Sequence, residues 1–176
     1  VTFSDIPAGF QFTSEDSGTD DALDSDADPN NGMTPVVTLA PGETNLTIDA
    51  GILQPASLGD YVWHDTNVNG LQDDGDTGFN GVTVNLYADL DEDGIAEPGG
   101  DDGGPIASTT TANNPDTGDA GYYLFENLEP GKYFTEVDDA NFGSGEILEN
   151  FFATLRNQGG DDAIDSDGQR TGPVTS

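Results

Sequence analysis

The chain has no cysteine, only three basic residues and no long apolar run. Without cysteine no disulfide can hold the fold, and the redox compartment cannot be read from thiol usage. With so little lysine and arginine there is almost nothing to grip phosphate, so nucleic acid and anionic membrane surfaces are disfavoured as partners. No apolar stretch reaches the length of a membrane span and no signal-peptide pattern opens the sequence, so Val1 in first place reads as the start of a processed product or a fragment. A helical period is missing throughout, which leaves strands and loops.

What the chain does have is acid. It carries 35 Asp and Glu among 176 residues, for a net charge of −32. Charge of one sign on that scale destabilises a compact state. Two carboxylates about 4 Å apart repel by roughly 1 kcal/mol in water and about 4 kcal/mol near a protein surface. Neighbours such as Asp20-Asp21, Asp73-Asp74, Asp101-Asp102 and Asp161-Asp162 must therefore be solvated, protonated or neutralised by cations. Hard oxygen ligands make calcium the expected neutraliser. Disorder is the competing expectation for so acidic a chain. Its aromatic residues and regular apolar alternation argue for a folded one.

The alternation predicts strands at Phe10–Thr13, in two arms around the Pro41-Gly42 turn within residues 36–50, and at Leu58–Val62. It continues at Val82–Tyr87, with Val82, Val84 and Leu86 on one face, and at Ala107–Thr111, Tyr122–Phe125 and Lys132–Val137. The organising stretch follows Leu58-Gly59-Asp60-Tyr61-Val62-Trp63-His64. Oxygen-bearing side chains stand at positions 1, 3, 5, 9 and 12 of a loop, namely Asp65, Asn67, Asn69, Asp73 and Asp76. Gly70 takes the sharp turn at 6, and Leu71 at 7 offers its carbonyl, the spacing of an EF-hand-type calcium loop. Aspartate at 12 is shorter than the usual bidentate glutamate, which predicts weaker binding or an extra water. A second loop repeats the pattern with Asp89, Asp91, Asp93, Ile95 and Glu97, and Gly94 at 6. Position 12 there is Gly100, so Asp101 or Asp102 has to close the shell.

The chain also repeats itself. Asp20-Asp21-Ala22-Leu23-Asp24-Ser25-Asp26 returns as Asp161-Asp162-Ala163-Ile164-Asp165-Ser166-Asp167, 141 residues later, and Phe10 and Thr13 return as Phe151 and Thr154. Four carboxylates within seven residues predict a cation at Asp20, Asp21, Asp24 and Asp26, and again at Asp161, Asp162, Asp165 and Asp167. Asp60, alternating opposite Tyr61, is a candidate to join the latter. Asp116 and Asp119 are weaker candidates. Trp63 reads as a packing residue and His64 as an exposed, non-ligating one. A repeat signals a modular array rather than one catalytic domain. The register predicts residues 1–53 as the end of one module, 54–56 as a short connector and 57–176 as the body of the next. The second module then lacks closing strands, and residues 36–50, in cis or from a neighbouring copy, are expected to fill that edge by strand addition.

These motifs, together with Gly81-Val82-Thr83-Val84, Gly121-Tyr122-Tyr123-Leu124-Phe125 and Pro130-Gly131-Lys132-Tyr133, resemble the Sdr-type B repeat of bacterial serine-aspartate surface proteins. The resemblance covers nearly the whole chain, with the Asp89–Gly104 insertion departing from a minimal repeat. It implies an all-β, antiparallel β-sandwich of prealbumin-like (Cna B-type, Ig-like) fold. It further implies a calcium-stiffened module, strung in tandem between a cell wall and a distal adhesive domain. Many Cna B-type relatives carry a Lys–Asn isopeptide bond. Lys132, the only lysine, occupies a turn-to-strand position shared with the repeat pattern, so such a bond is not expected here.

The expected function is thus non-catalytic: a calcium-binding spacer, or the subunit of an extracellular fibre, whose partners are neighbouring modules or copies of itself. An adhesin module that binds a protein or glycan directly is the alternative. Glycosidase-like chemistry needs two carboxylates in distinct environments. These acids cluster in loops of calcium spacing and offer no such pair.

Overall fold

The computed structural model describes residues 1–73 and 75–168. The chain is all-β with antiparallel strand pairing, as a β-sandwich of this class requires; among the described residues the one exception to strand and loop is a turn of 3-10 helix at Asp139–Phe142. Chain contacts divide it into two units, Val1–Ser57 with Glu126–Gly131, and Leu58–Phe125 with Lys132–Ser176. The chain end beyond Gly168, part of the expected second module, lies outside the described residues.

In the first unit, β1 (Gln11–Phe12) pairs with β2 (Ile52–Leu53), Gln11 opposite Leu53 and Phe12 opposite Ile52. Phe12 of β1 and Ala27 are buried, as are Ser25 and Asp26. Gly32 lies so close to the Phe3 carbonyl and the Phe12 ring that no side chain fits, and its φ of 67° suits glycine alone. Ser14 donates from its amide (3.1 Å) and hydroxyl (2.6 Å) to Glu129 at the tip of a later hairpin.

The two strands expected within residues 36–50 do not form. The turn does, closed by Glu43 N–H on the Ala40 carbonyl and Ala40 N–H on the Glu43 carboxylate. Its arms make no ladder among the described residues, and Val36 and Leu46 stand 97% and 85% exposed. An isolated two-stranded hairpin is marginal in water, and alternation by itself supplies no partner face. Ala56, the last residue of the expected connector, opens the next strand.

In the second unit, β3 (Ala56–Tyr61, whose first two residues fall in the first unit) pairs with β8 (Tyr122–Leu128). Next, β4 (Trp63–His64) pairs with β5 (Thr77–Gly78). A three-stranded sheet runs β7 (Ala107–Thr110), β6 (Thr83–Ala88), β9 (Tyr133–Val137). Val82, Val84 and Leu86 are at most 1% exposed, as the alternation predicts. Asn85 and Tyr87, on the opposite face of β6, are buried too. That second face is covered by polar and aromatic partners: Asn85 bonds Ser108 and Asp138, and Tyr87 stacks on its cross-strand neighbour Phe134 at 5.0 Å. This topology sets out the acidic loops. Residues 65–76 join β4 to β5, 89–106 join β6 to β7, and 161–167 meet the first of these loops through a bridge between Leu71 and Asp165.

Candidate metal centres

The 65–76 loop is folded by its own side chains. Asp65 Oδ2 accepts the Gly70 amide at 2.8 Å and Oδ1 the Asn69 amide at 3.2 Å, which curls the chain about its first residue. Asn67 and Asn69 accept the amides two residues on, at 3.0 and 2.8 Å. Their side-chain amides converge on the two oxygens of Asp73, at 3.1 and 2.7 Å. Asp76 closes the loop by accepting from the Thr66 amide and hydroxyl and from the Asp73 amide. Gly70, at φ 79°, sits against the Leu155 carbonyl with no room for a Cβ. Partial desolvation pulls the Asp65 carboxyl upward, but the hydrogen bonds from Thr154, Gly70 and Asn69 outweigh it and hold it below the ordinary carboxylate value. These bonds order the loop, but among the described residues Asp65, Asp73 and Asp76 do not draw their carboxylate oxygens into a trio as close as those of the other acidic loops.

The repeated acidic loops fold alike. Asp20 and Asp161 each accept the amide of the alanine two residues on, both at 3.2 Å. Asp16 N–H reaches the Ser25 carbonyl at 2.9 Å, and Asn157 N–H the Ser166 carbonyl at 2.9 Å. Asp16 and Asn157 both take positive φ, 49° and 53°. The parallel bridge Glu15–Ser25 answers to Arg156–Ser166. Asp24 and Asp165, again equivalent, each carry an Oδ1 that is buried and without a hydrogen-bond partner. In the later copy, Asp162, Asp165 and Asp167 bring carboxylate oxygens within 4.8 Å of one another. The Asp167 carboxyl is raised by desolvation and then by Asp162 and Asp165. Asp60, on β3, is raised by desolvation and then by the charge of Asp167. In the earlier copy Asp26 turns inward and accepts the Asp49 amide at 2.8 Å, while desolvation, Asp16 and Asp21 raise Asp24.

The insertion after β6 places its acids differently from the twelve-residue pattern. Asp89, Asp91 and Asp102 bring oxygens within 4.8 Å, and Asp91, Glu97 and Asp101 form a neighbouring trio. Asp93 joins neither, and its Oδ1 instead accepts the Ile95 amide at 2.7 Å. Glu97 is raised by desolvation and then by Asp101, Asp93 and Asp91.

Sequence reasoning missed Thr154 as a partner of Asp65, although its place as the copy of Thr13 marks it. It also misjudged His64, which is half-buried and meets Phe151 edge-on at 5.2 Å and Phe79 at 6.0 Å. A ring beside two phenylalanines gains more from packing than from exposure. Trp63 is half-buried on β4, and Asp116 and Asp119 sit in an exposed turn held by Asn114.

Against known proteins, the SdrD B-like domain matches residues 1–52 and again 56–176. The chain is 36% identical over 167 residues to serine-aspartate repeat-containing protein F of Staphylococcus epidermidis, covering 94% of this chain and 8% of that protein. It is 35% identical over 172 residues to serine-aspartate repeat-containing protein D of Staphylococcus aureus (strain Newman), covering 97% of this chain and 11% of that one. It thus spans about a tenth of the length of these relatives. Set beside a structural repeat that keeps its bridges and turns 141 residues apart, the match is decisive: this chain belongs to the SdrD B-like domain family.

Proposed function

We propose that the chain is a non-catalytic, calcium-binding structural repeat of a secreted or cell-surface protein, working as a calcium-rigidified spacer or as the subunit of an extracellular fibre. One observation carries this reading. Among the described residues, the buried side-chain oxygens without a partner are those of Asp24, Asp89 and Asp165, and all three belong to acids whose spacing predicts ligands. A buried carboxylate oxygen left unpaired costs free energy that a bound cation recovers. Oxygen-only donor sets select calcium over zinc or copper. The proposed ligands are Asp65, Asn67, Asn69, the Leu71 carbonyl, Asp73 and Asp76 in the first loop. Asp60, Asp162, Asp165 and Asp167 serve the later acidic loop, and Asp24 leads its earlier copy.

Calcium also answers the net charge of −32, which nothing else in the composition offsets. Extracellular calcium modules bind at roughly 0.1–1 mM, so an array of such modules is stiff outside a cell and slack where calcium is scarce. The exposed, apolar segment 36–50 suits donation to a neighbouring module or copy, which would join units end to end. Equilibrium dialysis against calcium tests the reading: several ions bound per chain support it, and none bound at 5 mM ends it.

A further inference from the structure

The insertion after β6 holds the one acid cluster that a lysine attends. Asp89 closes β6, its amide donating to the Lys132 carbonyl at 3.0 Å across to the start of β9. Its side chain is 6% exposed. Oδ2 accepts the Gly94 amide at 3.0 Å, while Oδ1 has no partner. Asp102, thirteen residues on, is 2% exposed and grips both ends of the loop, accepting the Leu90 amide and the Glu97 amide, each at 2.9 Å. Lys132 lays its ammonium 3.9 Å from Asp89 Oδ2 and donates to the Glu92 carbonyl.

From this geometry we infer that the insertion is a divalent-cation site of its own, built on Asp89, Asp91 and Asp102, and that Lys132 is a built-in competitor limiting its affinity. The site rests on the calcium reading above, but its composition is distinct. Asp102 replaces the twelfth-position ligand, and Asp93 and Glu97 fall outside the trio. An ion shared by Asp89, Asp91 and Asp102 meets the orphaned oxygen of Asp89 and ties the end of β6 to the loop that follows it. The ammonium draws on the same carboxylate, so the ion binds against a positive charge a few ångströms away. In the 65–76 loop the carboxylates of Asp65, Asp73 and Asp76 instead accept from backbone amides, asparagine side chains and the Thr66 and Thr154 hydroxyls. The insertion is therefore set to fill at a higher calcium level than its carboxylates alone would require.

Calcium titration calorimetry on the whole chain tests this. Lys132→Gln should tighten one class of site roughly five-fold in 0.15 M salt, since a unit charge a few ångströms from a divalent ion is worth about that much after screening. Lys132→Arg, which keeps the charge, should leave the affinities as they are. Asp91→Asn, at an exposed position that threatens no core contact, should remove one ion from the stoichiometry while Asp65→Asn removes a different one. An unchanged isotherm for Lys132→Gln, or an unchanged stoichiometry for Asp91→Asn while Asp65→Asn still loses an ion, overturns the inference and leaves the broader calcium reading standing. No calcium bound by the wild-type chain overturns both.

Discussion

The Thr154 hydroxyl donates to Asp65 Oδ2 at 2.5 Å, joining the first residue of the 65–76 loop to a residue 89 positions later. Asp65 anchors that loop through Gly70 and Asn69, so Thr154 holds the orientation of the carboxylate on which the loop turns. Partners of this kind typically change metal affinity 10–100-fold when removed. Thr154→Val should therefore weaken calcium binding at this loop by about ten-fold, read as a loss of the tightest phase in a calcium titration. Unchanged binding would mean that the carboxylate is oriented by the loop backbone alone.

Two glycines with similar backbones should respond very differently to alanine. Gly121 has φ 89° and lies against the Val62 carbonyl and the Gly78 Cα (2.8 Å), so an added Cβ has nowhere to go. Gly118 has φ 85° and nothing within 4 Å. Gly118→Ala should cost about 1 kcal/mol, the left-handed backbone penalty alone. Gly121→Ala carries the clash as well and should cost about 3 kcal/mol or more. Urea denaturation of the two variants measures the difference.

Tyr87 gives the fold an alkaline limit. Its phenol is pushed up to about 12 by burial, and then by its hydrogen bond to Glu136 and that residue's charge. In the unfolded chain it titrates near 10. The folded state thus binds the proton more tightly, so this contribution to stability is complete below about pH 10 and is lost as pH rises through about 12. Urea midpoints should fall between pH 9 and 11 in the wild type and fall less in Tyr87→Phe.

Strand donation by residues 36–50 predicts self-association that depends on their apolar faces. Val36→Lys with Leu46→Lys, both at exposed positions, should leave the melting of the chain unaltered and lower its apparent mass by light scattering at high concentration. A wild-type chain that remains monomeric at every concentration would remove donation between copies.

Much of this was legible in the residues because local rules govern it. Val82, Val84 and Leu86 alternate onto one buried face, and the 65–76 loop has a spacing that backbone geometry enforces. The copied acidic loop announces its own fold, since two segments alike at six of seven positions make the same turns and bridges. Long-range pairing was not legible. Nothing local in Thr154 points to Asp65, and nothing in the spacing chooses between Asp101 and Asp102 to close the shell with Asp89, or leaves Asp93 and Glu97 out of it. Residues 36–50 failed as strands for the converse reason: their alternation is intact, but a strand exists only where another edge accepts it.

The central claim is that divalent cations, in place of a large apolar interior or covalent cross-links, hold this acidic chain in shape. Differential scanning calorimetry in 5 mM calcium and in excess chelator tests it most directly. A site at a hundredfold excess over its dissociation constant adds about 2.7 kcal/mol, and at the roughly five- to fifty-fold excess that 5 mM provides the gain is less, about 1–2 kcal/mol per site. The account therefore predicts a melting temperature higher in calcium by roughly 5 °C or more. Coincident melting curves in the two buffers would contradict it.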